Sequence, residues 1–455
     1  MSRRYFGTDG VRGEYGGPVI NAAFARSLGA AAGRWVKCAA GAHSSADALR
    51  VLIGRDTRES GPVLEAALAA GLASEGLAPF SLGIVPTPAV SLAVRASGAA
   101  LGVVITASHN PATDNGIKFL GPSGCKLSDA EESAIEKEIL LEAGPGEDPG
   151  HSAPVRAIAG AAAEYTRAVS LLLPRECLKG WRIVLDTANG AACSTSPAVL
   201  RGLGAEVIGL GAEPDGRNIN DGVGSEHPGR MRARVLETGA RLGIANDGDG
   251  DRCVLCDEHG EILDGDDILT ILAVRALRRG TLTNNVLVVT MQSNSGVDLA
   301  VKAAGGRVLR TPVGDRYVGE RMLAEGAVLG GESSGHVICA EVARTGDGLV
   351  AALKVIEVML ATGQPLSALR GVLRKLPQSS VAITIGKKRP LEDLAAVQAA
   401  IRAIESEFGG RGRVFVRYSG TEPKIRLLVE AEDPVRVRSC LARLEAAVRA
   451  DFPAV

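Results

Sequence analysis

The amino-acid sequence predicts an α/β protein: three α/β units with mixed sheets, followed by a smaller C-terminal α+β unit. Three observations carry this expectation. Near-continuous apolar runs rich in Val, Ile and Leu end repeatedly in turns of small polar residues, the pattern of strands buried on both faces. Segments with helical periodicity lie between these runs, and strands alternating with helices make layered α/β domains. Clusters of helix- and strand-breaking residues then cut the 455-residue chain into pieces near the usual domain size, roughly 100–200 residues.

The strand-to-turn theme recurs at Leu101-Gly-Val-Val-Ile-Thr-Ala-Ser108, Arg182-Ile-Val-Leu-Asp-Thr-Ala-Asn-Gly190, Leu242-Gly-Ile-Ala-Asn-Asp-Gly-Asp-Gly250 and Val286-Leu-Val-Val-Thr-Met-Gln-Ser-Asn-Ser-Gly296. In open α/β sheets ligands sit beyond the carboxyl ends of strands, so all four turns are candidate site loops. Helices are expected over Pro62–Glu75, with Pro in the first turn and Gly76 just past the end, and over Asp267–Arg279 and Gly348–Ala361. Asp129–Glu142 reads as an acidic, solvated helix. It runs into Gly144-Pro-Gly-Glu-Asp-Pro-Gly150, a breaker cluster suited to a linker. Further breaks fall near Asp257-Glu-His-Gly260 and Leu376-Pro-Gln-Ser-Ser380. After the last come Val381–Ile385, a helical stretch, Arg413–Arg417, Ile425–Glu430 and a final helix, which make the α+β unit. The expected domains are 1–150, 151–256, 257–372 and 373–455.

Composition excludes several classes of function. A formal net charge of −1 provides no long-range field toward nucleic acid or anionic membrane. Aromatic residues make up 3%, too few for base-stacking surfaces. No apolar run approaches the roughly 18 residues that a membrane span needs, and the start, Met1-Ser-Arg-Arg-Tyr-Phe, has no signal-like core. A cytoplasmic protein is expected. The eight cysteines are scattered. Only Cys253 and Cys256 have CxxC spacing, with no second ligand pair near them, so reduced and mostly buried thiols are expected rather than zinc.

Chemistry concentrates in four places. Ser108, in Thr106-Ala-Ser-His-Asn-Pro111, stands where a buried strand ends. Pro111 should stiffen the turn and hold the serine exposed. Asp114-Asn-Gly116 reads as a tight turn into Ile117–Leu120, and Gly121-Pro-Ser-Gly124 turns back toward Cys125–Leu127, a hairpin that would return Lys118 to the serine. A serine hydroxyl is a weak nucleophile and needs a base or a metal to act. In Asp247-Gly-Asp-Gly-Asp-Arg252 three carboxylates alternate with glycines, so that Asp247, Asp249 and Asp251 converge on one centre. Such hard oxygen ligands suit magnesium. A calcium loop would need Gly at its sixth position, where Arg252 stands; that guanidinium suits phosphate oxygens instead. Arg417-Tyr-Ser-Gly-Thr-Glu-Pro423 places a planar cation, two hydroxyls and a glycine in one turn, an anion cradle. In Gly330-Gly-Glu-Ser-Ser-Gly-His336, Glu332 and Ser334 suit sugar hydroxyls, and His336 is a candidate proton shuttle.

These four loops and the opening Phe6-Gly-Thr-Asp-Gly-Val-Arg-Gly13 occur in the order found in α-D-phosphohexomutases, and the chain resembles that family over essentially its whole length. The opening motif, Thr87-Pro-Ala-Val90, Gly314-Asp-Arg-Tyr317 and Asp114-Asn-Gly-Ile-Lys118 are most similar to the branch that acts on glucosamine phosphate. Ser333 and Ala112-Thr113 depart from that branch, which commonly has Gln and bulkier residues there. The resemblance implies four domains around a central cleft and a phosphorylated Ser108. Magnesium would be held by Asp247, Asp249, Asp251 and a Ser108 phosphate oxygen. Arg12, Lys118 and Arg252 would neutralise charge or relay protons, and His336 would transfer protons. Glu332 and Ser334 would grip the sugar, and Arg417, Ser419, Gly420, Thr421 and Arg426 would hold the non-reacting phosphate. It further implies a hexose phosphate substrate and a glucosamine or glucose 1,6-bisphosphate as intermediate and primer, the activity feeding amino-sugar nucleotide and cell-wall precursor synthesis. A homodimer and a kinase for Ser108 stay open. So do a glucose or mannose phosphate substrate, an aspartate-based phosphohydrolase and a non-catalytic sugar-phosphate sensor.

Overall fold

A computed structural model describes residues 4–7, 9–40, 49–139, 155–386, 388–419 and 423–452. Four sheets follow one another along the chain. The first runs Val11–Glu14, Asp114–Leu120, Leu101–Ile105, Arg50–Arg55, Ala78–Ile84, Arg156–Ala157. Its centre is parallel, and Asp114–Leu120 pairs antiparallel with both of its neighbours. Successive side chains of Arg50–Arg55 serve opposite cores. Val51 and Ile53 pack with Phe24, Leu28, Leu64 and Leu68 of helices Ala22–Ala40 and Gly61–Ser74, while Leu52 packs with Val90 and Val94 of helix Thr87–Ser97. The second sheet is ordered Ile262–Leu263, Cys253–Cys256, Leu242–Asn246, Arg182–Asp186, Glu206–Leu210, and the third Arg307–Thr311, Val286–Thr290, Leu329–Gly331, Val337–Cys339. Both are mixed. One apolar core runs through all three units, joining Val90 and Val94 to Ile183, Leu185 and Tyr165, and these to Leu269, Leu287 and Leu353.

The C-terminal unit is different. Gln378–Thr384, Lys424–Ala431 and Gly412–Tyr418 form an antiparallel sheet with its own core against helices Ala395–Phe408 and Pro434–Asp451. Among the described residues no single helix is long and apolar enough to cross a membrane. All eight cysteines are free: Cys253, Cys256, Cys339 and Cys440 are buried, and Cys38 is exposed.

Helix Gly61–Ser74 starts one residue before its expected bound, with Pro in its first turn. The helix expected from Asp267 begins earlier, at Gly265, because the Asp264 side chain accepts from the amides of Asp266 and Asp267 while Asp267 bonds back. The acidic helix spans Asp129–Lys137 behind a Ser128–Glu131 capping box; its expected end and the Gly144–Gly150 linker lie outside the described residues. One local reading is corrected. Asp114-Asn-Gly116 is not a turn but the start of strand Asp114–Leu120, paired with Val11–Glu14. The turn precedes it, where Asn110 N donates to Ala107 O and Asp114 N to Pro111 O. Gly116 is needed for crowding, since a Cβ there would lie 2.5 Å from Thr106 O. Asp257–Gly260 is the tip of a hairpin: Asp257 accepts from the amides of His259 and Glu261, and Ile262–Leu263 pairs with Cys253–Cys256, so the second sheet continues to Leu263.

Candidate active site

The serine turn is fixed by its backbone. Ser108 has a left-handed φ of 53°, which costs a non-glycine residue energy and persists only where surroundings enforce it. Ser108 N donates to Thr106 Oγ1 at 2.9 Å. The Arg58 guanidinium donates to the carbonyls of Ser108, Asn110, Pro111 and Asp114, and Asn220 Nδ2 donates to those of Ser108 and Asn110 at 2.8 and 2.9 Å. Arg58 is itself held by the buried Asp56 carboxylate, 2.9 Å away. These contacts overturn the expectation of an exposed serine: Ser108 is 0% accessible. Arg58 and Asn220 come from segments distant in sequence and were not singled out. The only trace of Arg58 is another strand-to-turn run, Leu52-Ile-Gly-Arg-Asp-Thr-Arg58.

The Ser108 hydroxyl donates to Asp247 Oδ2 at 2.6 Å. Gly248 lets the two loops meet, because a Cβ there would lie 2.5 Å from Ser108 O. Asp247, Asp249 and Asp251 are buried, and one oxygen from each lies within 4.8 Å of the others. Burial and the charges of Asp251 and Asp249 push the Asp247 carboxyl well above its ordinary range. Burial acts the same way on Asp251, but Lys118 and His336 outweigh it and hold that carboxyl well below the ordinary range. Asp249 is also lowered: burial and Asp251 oppose ionisation, while Lys118, at 2.9 Å, and the Thr87 hydroxyl, at 2.7 Å, favour it. Asp249 Oδ1 and Asp251 Oδ1 are buried without a hydrogen-bond partner. Unanswered carboxylate oxygens in a dry, convergent cluster fit a hard divalent cation.

Cations surround this centre. Lys118 reaches Asp249 and, at 3.0 Å, Asp9. Its strand position, opposite Val104, brings it there as the sequence suggests. Arg12 pairs with Asp9 and feels all three aspartates, but burial lowers its pKa, and its Nε has no partner. Arg252 N donates to Asp247 Oδ1 at 3.1 Å; burial lowers its guanidinium pKa, but the charges of Asp247 and Asp251 raise it more. His336 lies between carboxylates, with Nδ1 3.5 Å from Asp251 and Nε2 3.3 Å from Asp315. Burial disfavours its protonation, and the two carboxylates more than compensate. Asp315 in turn pairs with Lys126, which also reaches Asp9. Asp9, Lys126 and Asp315 carried no assigned role. Neither did His109, whose Nδ1 is 3.3 Å from Ser108 Oγ. Burial, then Arg252 and Arg12, lower its pKa to about 3, so it is neutral near pH 7.

Away from the serine, Glu332 Oε1 accepts from Gly314 N at 3.0 Å, and the Ser334 hydroxyl is buried without a partner. The charge of Glu332 acts on both Arg252 and Arg417. Arg417 stands directly opposite Arg426 in the strand pair. Like charges so placed repel. Burial and then Arg426 lower the Arg417 pKa, and its Nε lacks a partner. An anion between the two guanidiniums would relieve both costs. Ser419 is buried beside them, its carbonyl accepting from Lys388. Gly420 and Thr421 lie outside the described residues.

A buried serine hydroxyl against a three-carboxylate cation site, with an arginine pair in the C-terminal unit, is the arrangement of a metal-assisted phosphoryl-transfer enzyme. Comparison gives the family. Residues 3–143, 163–260 and 264–376 match the phosphoglucomutase/phosphomannomutase alpha/beta/alpha domains I, II and III, and residues 381–447 match the C-terminal domain. The chain therefore belongs to the phosphoglucomutase/phosphomannomutase family, the α-D-phosphohexomutases. It is 46% identical over 448 residues to the phosphoglucosamine mutase of Moorella thermoacetica, covering 97% of this chain and 98% of that one. To the enzyme of the same name from Aeromonas hydrophila it is 45% identical, covering 99% and 100%. Its fold matches a Burkholderia thailandensis phosphoglucomutase/phosphomannomutase family protein with a TM-score of 0.80 and 25% identity, covering 100% and 99%. It also matches Aspergillus fumigatus N-acetylphosphoglucosamine mutase, solved with GlcNAc-6P and magnesium, with a TM-score of 0.67 and 16% identity, covering 99% and 96%.

Proposed function

We propose that this protein interconverts glucosamine 6-phosphate and glucosamine 1-phosphate through phosphorylated Ser108 and a 1,6-bisphosphate, in the cytoplasm. The observation that carries the reading is the 2.6 Å contact between the Ser108 hydroxyl and the acidic cluster. Asp247, Asp249 and Asp251 would hold magnesium together with a phosphoserine oxygen. Bound there, the ion would offset charge on the transferring phosphoryl group. Lys118, Arg12 and Arg252 surround the same point and supply further positive charge where the equatorial oxygens gather it. The phosphoryl leaves Ser108 Oγ for a sugar hydroxyl, whose proton must go to a nearby base. His336 sits in the loop that also carries Glu332 and Ser334, so it is the proton-transfer candidate. Glu332 and Ser334 then orient the sugar, while Arg417, Ser419 and Arg426 grip the phosphate that is not reacting.

The bisphosphate must next present its other end to Ser108, so the distal grip must accept a phosphate from either position of the ring. The glucosamine assignment rests on the phosphoglucosamine mutases at 44–46% identity. Parallel mutase assays on glucosamine, glucose and mannose phosphates, with magnesium and a bisphosphate primer, test it. Glucosamine phosphate should give the highest kcat/KM. A faster reaction with glucose or mannose phosphate would overturn the sugar assignment, and release of inorganic phosphate in place of the isomer would overturn the mutase itself.

A further inference from the structure

The fourth strand-to-turn run, ending in Met291-Gln-Ser-Asn-Ser-Gly296, contributes nothing to the serine centre. It is instead the seam on which the C-terminal unit is mounted. Asn294 is buried and uses both ends of its amide. Its Nδ2 donates to Leu376 O at 3.0 Å and Gln378 Oε1 at 3.3 Å, and its Oδ1 accepts from Leu376 N at 2.9 Å. Its own backbone N is held by Asp266 Oδ2 at 2.8 Å. From the other side, Arg413 donates to the carbonyls of Met291 and Ser293. Arg413 also pairs with Glu430, which is 0% accessible and accepts from Ser295 N at 3.1 Å. The loop thus meets the C-terminal unit through polar, directional contacts that fix one geometry.

The placement of these contacts gives them a consequence for the cleft. Arg413 and Arg417 lie on one strand, Glu430 and Arg426 on the next, in the register Arg413↔Glu430 and Arg417↔Arg426. Residues four apart share a sheet face and are separated by about 13 Å. One rigid strand pair therefore carries the seam at one end and the phosphate grip at the other. We propose that Asn294, Arg413 and Glu430 are positioning residues that anchor this strand pair as an arm, setting where Arg417 and Arg426 stand relative to Ser108. An anchored arm holds the distal grip at one position relative to Ser108, whichever phosphate of the bisphosphate it carries. The inference rests on the mutase reading for its kinetic consequence, but not for its mechanical one.

Two variants test it. Arg413→Ala removes the fork. Asn294→Asp is nearly isosteric; it keeps the acceptor for Leu376 N and removes both donated hydrogen bonds. In each, hydrogen exchange at the amides of Ser295 and Leu376 should quicken by about tenfold or more, while the core strands Val286–Thr290 and Lys424–Ala431 exchange as before. KM for the hexose phosphate should rise about tenfold, and free bisphosphate should accumulate during turnover, with single-turnover transfer from phosphorylated Ser108 at saturating substrate within about threefold of the parent. Unchanged amide exchange would overturn the seam. Faster exchange with unchanged KM and no escaping bisphosphate would overturn its link to the grip. If the parent protein does not isomerise hexose phosphates, the mutase reading falls by that result alone. The arm is then decided by amide exchange and by calorimetric affinity for hexose phosphate, which an anchored grip requires to weaken in both variants.

Discussion

At the serine centre, charges are arranged against one another in a dry interior: Lys118 against Asp249 and Asp9, His336 between Asp251 and Asp315, Lys126 between Asp9 and Asp315. At the distal cradle, two arginines face each other across a strand pair in a unit with its own small core. In the first region each of these cations already faces a carboxylate; in the second, Arg417 faces a like charge. Phosphoryl transfer explains the division. The reacting phosphate needs preorganised electrostatics that cost no rearrangement at the moment of reaction, whereas the other phosphate needs only to be held, and from either end of the sugar.

If that division is right, damage to the two regions should differ in kind as well as in size. The largest loss is expected from Ser108→Ala, which removes the proposed phosphoacceptor. Isomerisation should fall by about 10⁴-fold or more, while hexose phosphate still binds in a calorimeter because the cradle is intact. Full turnover by this variant would break the comparison outright.

Next comes Arg58→Met. Both Arg58 and Asp56 are inaccessible in their side chains, and breaking a buried pair by removing one partner costs about 3–5 kcal/mol. Here four carbonyls of the serine turn lose their donor as well. Chemical denaturation should register the loss, and the left-handed Ser108 should lose its fixed position. Stability within about 1 kcal/mol of the parent would mean that the turn holds itself.

Arg58 also marks where sequence reading stops. Ser108 and the three aspartates were legible because their signal is local: a strand giving out into a turn, and carboxylates repeating at alternate positions with glycine between. Lys118 was legible because strand register carries it back. What burial does to these groups was not legible. Ser108 looked exposed because its lid consists of Arg58, Asn220 and Gly248, which approach from three other segments through backbone carbonyls that any residue possesses. Asp114-Asn-Gly116 looked like a turn because the dipeptide signal is short-range, whereas the partner that makes it a strand, Val11–Glu14, lies about a hundred residues earlier. The Met291–Gly296 loop had the same local appearance as the catalytic turns. Only the arrival of Arg413 from the last domain, and of Leu376 from the segment leading into it, sets it apart.

A smaller effect is expected from Asp249→Asn. The variant keeps the shape that meets Thr87 and Lys118 but removes one charge from the proposed magnesium ligands. Magnesium affinity, measured by titration of the metal, should fall together with kcat. Loss of one charged ligand should cost several kcal/mol of charge stabilisation at most, and a rate loss of about 100-fold is the expected scale. A rate loss with unaltered magnesium affinity would transfer Asp249 from the metal to the positioning of Lys118.

The smallest loss should come from the cradle, and its form matters more than its size. In the proposed role Arg417 would hold a phosphate that does not change during the chemical step, and so would stabilise the ground state and the transition state equally. Removing such uniform binding raises KM and leaves kcat alone. A charge-assisted hydrogen bond is worth about 1.5–3 kcal/mol, so Arg417→Ala should raise KM by about 10- to 100-fold. The variant also relieves the repulsion from Arg426 in the unliganded protein. The variant should therefore be no less stable than the parent in the absence of ligand, and should gain less stability when hexose phosphate is added in a thermal melt. A fall in kcat with KM unchanged would reverse the assignment: it would mean that the distal arginine acts on the reacting phosphoryl group, and that the division between a preorganised centre and a distal grip does not describe this enzyme.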